Sequence, residues 1–190
     1  QEKIWWKQMS GATSRSENLQ VIEVKGRAEI GFAHRDGVTR LSHLYQHDPI
    51  RILFPNPALG DSVEATVITT SGGLVGGDKI SLEITAEANT TALVSAQAAE
   101  KIYRSAGAET EISVTISADE DSWVEWLPQE TILFDGSKLR RRTSINAAPG
   151  SRVLAGEILV LGRVGSGEKI SSGFLRDAWE VYRQGKLVWA

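Results

Sequence analysis

The clearest order in the chain is an alternation of apolar and polar positions with a period of two. It runs through Lys79-Ile80-Ser81-Leu82-Glu83-Ile84-Thr85 and again through Glu111-Ile112-Ser113-Val114-Thr115-Ile116-Ser117. Val63 to Thr69 follows the same rule less strictly. Alternation of this kind puts every second side chain on one face of a strand, and so predicts strands with one face against a core. Stiff β-branched residues fill these runs, as a pleated surface favours. Glu157-Ile158-Leu159-Val160-Leu161 is a nearly continuous apolar run between Gly156 and Gly162, the pattern of a strand buried on both faces. Turn residues separate the runs at Asp36-Gly37, Asn56-Pro57, Ser71-Gly72-Gly73, Asp135-Gly136, Pro149-Gly150, Gly165-Ser166-Gly167 and Gln184-Gly185.

Two segments read less plainly. Ala92 to Arg104 is rich in Ala and compatible with a helix, but Thr90-Thr91 leads in and small residues suit close packing against a second sheet, so a strand is expected. Phe174 to Arg183 suits either a short helix or a strand. No repeat, low-complexity tract or linker is visible after residue 25. The expectation is one mostly-β domain, layered or sandwich-like, with a few short helices. Residues 1–24 read as a flexible or tag-like N-terminal extension, and residues 25–190 as the domain.

Composition narrows the chemistry. At 190 residues the chain can bury a sizeable core without disulfides or metals. Its cysteine count of 0 removes thiolate catalysis, zinc fingers and iron–sulfur clusters. A net charge of −3 gives no footprint for nucleic acid or a membrane surface. No apolar stretch approaches the roughly 18 residues of a membrane span. The opening residues, with Trp5 and Trp6 among polar neighbours, lack the apolar centre of a secretory signal, so a cytoplasmic location is expected. Gly185 to Ala190 reads as a strand just beginning, which suggests a C-terminal truncation.

Candidate chemistry is sparse. Gly72-Gly73-Leu74-Val75-Gly76-Gly77-Asp78 can turn tightly and set a carboxylate at its end. It lacks the Gly-Lys-Ser/Thr of a phosphate loop and is followed by a strand, which excludes a dinucleotide fingerprint. Asp78 is either a site carboxylate or the cap of that turn. His43 and His47 would share a face of a helix, but their flanks read as strands, where they lie about 13 Å apart. They are expected to be ordinary surface histidines. Pro128 should end the strand that starts at Trp123, leaving Gln129 and Glu130 at the break. Arg140-Arg141-Arg142 reads as a solvated strand edge or loop. No Gly-x-Ser-x-Gly elbow supports a catalytic triad.

Four blocks in order carry a resemblance: Ser71 to Asp78, Ser95 to Ser105, Trp126 to Gly136, and Gly156 to Arg163. Together they resemble the UreD (UreH) family of urease accessory proteins over roughly residues 25–190. The resemblance implies a layered β protein that is not an enzyme. It implies a scaffold that binds the urease apoprotein and the helical partner UreF, recruits the GTPase UreG, and passes nickel through an internal tunnel. A homodimer within the accessory complex is compatible with it. No tightly bound cofactor is implied, only transient nickel(II). On this view Asp78, Glu157, Glu130, His43 and His47 are candidate weak nickel ligands. Glu157 needs a polar cavity or a partner such as Arg163, or else forms a buried ion pair. Gly76, Gly77, Gln97, Tyr103, Arg104, Pro128, Asp135, Gly136 and Arg163 are candidate structural or partner-facing motif residues. Imidazole, carboxylate and water suit Ni²⁺, and a conduit must also let go, so sparse carboxylates suit passage. Two other classes compete: a β-sandwich ligand-binding module using Trp5, Trp6 or Trp189 to stack on carbohydrate, and a hydrolase using Asp78 with His43 or His47.

Overall fold

The computed structural model describes residues 24–56 and 62–190. Residues 1–23 of the expected N-terminal extension, with Trp5 and Trp6, lie outside them. Two-residue turns open and close the described chain. Asp36 and Gly37 both take positive φ (52° and 81°) and join β1 (Lys25–Arg35) to β2 (Val38–His47). Gln184 and Gly185 (50° and 72°) join β14 (Phe174–Arg183) to β15 (Lys186–Trp189). Positive φ at both central residues matches the twist of paired strands, so these turns make tight hairpins.

Between the hairpins the chain winds as a solenoid. After β3 (Ile50–Leu53) and β4 (Val63–Thr69) comes β5 (Lys79–Ala86). The next turn is β6 (Thr91–Ala96), β7 (Glu100–Ile102) and β8 (Thr110–Ala118). Then follow β9 (Trp123–Leu127), β10 (Thr131–Leu133) and β11 (Lys138–Ala147), and last β12 (Arg152–Ala155), β13 (Leu159–Leu161) and β14. Each turn adds one strand to each of three sheets, ordered β12-β9-β6-β4-β3, β13-β10-β7 and β15-β14-β11-β8-β5-β1-β2. Successive turns pair in parallel. Side-chain contacts spanning 31 residues therefore recur, as in Thr69–Glu100, Glu64–Ser95, Gly72–Tyr103 and Glu109–Arg140. The sequence shows no repeat because only the inward positions must match from turn to turn.

Inward side chains of the seven- and five-stranded sheets meet in one core, including Ile30, Phe32, Ile50, Ile84, Val94, Ile116, Val124 and Trp126. A second cluster of Leu74, Ile102, Leu133 and Leu139 fills the corner beneath the three-stranded sheet.

The all-β expectation holds, and details of it change. Within Ala92–Arg104, Ala92–Ala96 and Glu100–Ile102 are strand and Arg104 forms an isolated bridge, while Phe174–Arg183 is strand. Among the described residues the helical content is a single 3-10 turn at Val164–Ser166 rather than a few short helices. The run Glu157–Leu161 is not a strand buried on both faces. Only Leu159–Leu161 is strand, at a sheet edge, while Ile158 and Leu161 are 64% and 61% exposed. Arg140-Arg141-Arg142 is not an edge or a loop. It lies within β11, between β8 and β14, where Arg141 shares the inward parity of Leu139 and Thr143 and is buried.

Candidate functional site

Because β4, β6 and β9 run parallel, their C-terminal ends reach the same edge of the five-stranded sheet. The connecting segments Ser71–Gly73, Gln97–Lys101 and Pro128–Thr131 gather there and face the inner side of β5, β8 and β11. Between them lies a cavity of about 200 Å³. Its walls are mainly apolar, with Ile50, Val67, Ile80, Leu82, Ile112, Val114 and Trp126. Set into them are Glu100, Arg141, Glu157 and Thr131. The Ser71 hydroxyl, also in the wall, has no hydrogen-bond partner among the described residues.

Charge in the cavity is held by a buried cluster. The Arg141 guanidinium pairs with Glu157 and, at 2.5 Å, with Asp177 of β14, and its Nη1 donates to Thr131 Oγ1 at 3.0 Å. Side chains of Arg141 and Glu157 are 4% and 5% exposed. Burial pushes the Glu157 carboxyl up from its ordinary range, Arg141 opposing it. Glu100 begins β7, in register with Thr131. Its carboxylate accepts from Thr69 Oγ1 at 2.6 Å and from the Lys101 amide at 3.1 Å. Burial raises its pKa as well, against those two hydrogen bonds. A cavity this large lets an ion keep several waters, and two desolvated carboxylates attract a cation without enclosing it. Among the described residues no three His, Cys, Asp or Glu side chains are arranged to hold a metal ion.

The structure separates the candidates named above. Glu157, Gln97 and Pro128 line the cavity. Glu157 takes Arg141 as its partner, not Arg163, which instead pairs with Glu168 at 3.0 Å and lies over the Phe134 ring. Glu130 is half-buried beside it, its carbonyl accepting the Glu100 amide. Asp78 is buried outside the cavity lining, and its two oxygens accept the amides of Val24 and Val75. It closes the glycine turn. His43 and His47 stay apart on β2: His43 meets Glu29 at 2.9 Å, and His47 Nδ1 lies 3.1 Å from the carbonyls of Lys25 and Asp48. Asp78 and the two histidines have these separate partners, so the Asp78–histidine pair that the hydrolase reading used is not assembled here.

The motif residues hold the connecting segments together. Tyr103 donates to the Gly72 carbonyl at 2.9 Å and packs edge-on against Phe134. Arg104 pairs with Asp135, whose carboxylate also accepts from Ser171 and Ser172. Those bonds hold Asp135 down to about 2. Gly136 and Gly77 take positive φ, and a Cβ on Gly76 would run into the Ser105 hydroxyl and the Ala108 carbonyl.

Sequence reasoning missed Glu100, Arg141, Thr131 and Asp177. The parity of β11 was the available signal for Arg141, since Leu139, Ile145 and Ala147 place it inward. Trp126 is buried and Trp179 packs against the core, while Trp189 is 58% exposed. No helix among the described residues is long and apolar enough to cross a membrane.

Comparison with known proteins agrees with these blocks. The family model described as UreD urease accessory protein matches residues 24–190. A urease accessory protein UreD of Magnetococcus marinus is 45% identical over 181 residues, covering 95% of this chain and 63% of that protein. One from Mesorhizobium japonicum is 40% identical over 165 residues, covering 87% and 59%. One from Bradyrhizobium is 36% identical over 179 residues, covering 94% and 64%. The chain thus spans a little under two thirds of the length of these relatives, and it belongs to the UreD urease accessory protein family.

Proposed function

We propose that this protein is a non-catalytic scaffold of urease maturation, which binds the urease apoprotein, UreF and UreG and lets nickel pass through its interior. Family membership supports the role in urease maturation. The observation that carries the passage is the cavity itself, where the segments of three motif blocks meet the carboxylates of Glu100 and Glu157. Glu157 and Glu100 attract the hydrated cation, and Arg141 keeps Glu157 turned into the cavity wall. With 0 cysteines, and the histidines on β2 engaged elsewhere, nothing in this set grips nickel as a closed thiolate cage would. Weak oxygen ligation with retained water favours release. Nickel is cargo here, and the cytoplasm, where urease is assembled, is the proposed compartment.

The test is co-expression with the urease subunits, UreF and UreG. Glu100→Gln combined with Glu157→Gln should leave the complex co-purifying while nickel content and urease activity fall several-fold. Full activation by that variant would overturn the passage, and failure of the parent chain to co-purify with UreF would overturn the scaffold.

A further inference from the structure

Among the described residues β2 is the long open edge of the fold. It has ten residues, whereas the other edge strands, β3, β7, β12, β13 and β15, have three or four each. No backbone group of β2 is bonded, among the described residues, on the side away from β1. The usual guards of a free edge, a proline, a lysine or an inward charge, are missing from Val38–His47. Leu44 and Leu41 stand beside Ile30 and Phe32 on the inward face. Ile30 and Phe32 are buried, but Leu41 and Leu44 are 41% and 39% exposed, with no further strand to cover them.

A bulge decides what fits this edge. The register steps from Gly31–His43 to Phe32–Leu41, so Ser42 is the extra residue and Gly31 faces both Ser42 and His43. A Cβ on Gly31 would lie 2.9 Å from His43 Cβ and 3.0 Å from Ser42 Oγ. The turn at Asp36-Gly37 makes Arg35–Val38 the first hydrogen-bonded pair. Alternation from there turns the backbone groups of Thr39, Leu41, Leu44 and Gln46 toward the open edge. Along a regular strand such groups recur at every second residue, but from Leu41 to Leu44 the step is three.

We propose that this edge pairs with a second copy of the chain, antiparallel, about a two-fold axis through the Ser42–His43 bond. That axis sets Leu41 opposite the partner's Leu44 and Thr39 opposite the partner's Gln46. The three-residue step of one strand then meets the same step in the other, and the edge groups match on both sides of the bulge. A regular strand of another protein matches on one side only. Faces are kept as well, because all four of these residues point inward, so the leucines cover each other. On the outward face Arg40, unpaired among the described residues, lies opposite the partner's Tyr45, a cation facing an aromatic ring. No like charges stand directly opposite one another. The contact is isologous and joins two seven-stranded sheets into one. It goes beyond the nickel passage and is independent of it, since β2 contributes nothing to the cavity wall.

Sedimentation velocity of the full chain should show monomer giving way to dimer between about 1 and 100 μM, as a small interface allows. L41K with L44K should keep the chain monomeric through that range, while L154K on the five-stranded sheet leaves the dimer intact. Cross-linking reads the register, since the chain has 0 cysteines of its own. Arg40→Cys with Tyr45→Cys should give a disulfide-linked dimer on mild oxidation, because directly opposed residues fall within disulfide reach. Either cysteine alone should not, since its own copy lies over ~10 Å away along the strand. Circular dichroism melts check that each variant folds, and where the lysine pair lowers the melt the cysteine pair decides alone. A monomer throughout that range, which would leave the edge to a strand of another protein, overturns the proposal. So does a dimer indifferent to L41K/L44K, or cross-linking by single cysteines as fast as by the pair.

Discussion

Arg141 is the residue on which the cavity depends. Its guanidinium joins Glu157, Asp177 and Thr131 in the buried wall of the cavity, where removing one partner strands the others. Arg141→Leu should destabilise the protein by about 3–5 kcal/mol in denaturant unfolding, the usual cost of breaking a buried pair. Adding Glu157→Leu should recover part of that loss, because it removes the stranded charge. Glu100 makes a pH-dependent prediction. Its folded pKa is raised above 4.5, so its contribution to stability is full below that pH and is lost as pH rises through the folded value. The melting temperature of Glu100→Gln relative to the parent should therefore climb between pH 4 and pH 8. A difference that stays flat with pH would contradict burial as the cause. At this scale the sequence was legible where parity was respected. Three adjacent arginines invite a solvent-exposed reading, yet a strand gives its middle residue the opposite face from its neighbours.

The elements were legible for a different reason. Asp36-Gly37 and Gln184-Gly185 are turns wherever they occur with φ > 0, and both close hairpins. Pro128 follows the last residue of β9, where a missing amide costs nothing. The segments joining the sheets were less legible. β7, β10 and β13 have three residues each, too few for any periodicity to declare itself. They are strands because the turns above and below supply hydrogen bonds. Their support is the corner stack, in which Ile102 pairs with Leu133 on one side and bridges to Leu74 on the other. Ile102→Ala should cost about 2–5 kcal/mol, since a fully buried side chain between two rigid turns leaves a cavity that cannot collapse. Thermal unfolding measures this, and a loss below 1 kcal/mol would show that the stack is not rigid.

For the whole molecule, winding direction decides what meets what. Parallel turns send the motif blocks to one edge, so the cavity wall collects Gly72, Gly73, Gln97, Ala98, Ala99 and Gln129 from distant stretches of chain. Gly72, Gly73, Ala98 and Ala99 leave room there. Ala99→Phe should narrow the cavity without altering charge. Assembly of the accessory complex should survive, while urease activation falls several-fold in the co-expression assay. Unchanged activation would argue against passage through this cavity.

The sequence by itself determined that the chain is β-rich, where its main turns fall, and which family its ordered blocks mark. These follow from local rules: period two, turn chemistry and residue types at close spacing. Only the tertiary structure decided that Asp78 caps a turn, that Glu157 answers Arg141, and that Glu100 and Thr131 share a wall with them. The physical reason is the winding of the solenoid. It sets residues of successive turns side by side, Glu100 against Thr131 and Arg141 against Glu157, and no local pattern encodes those pairings.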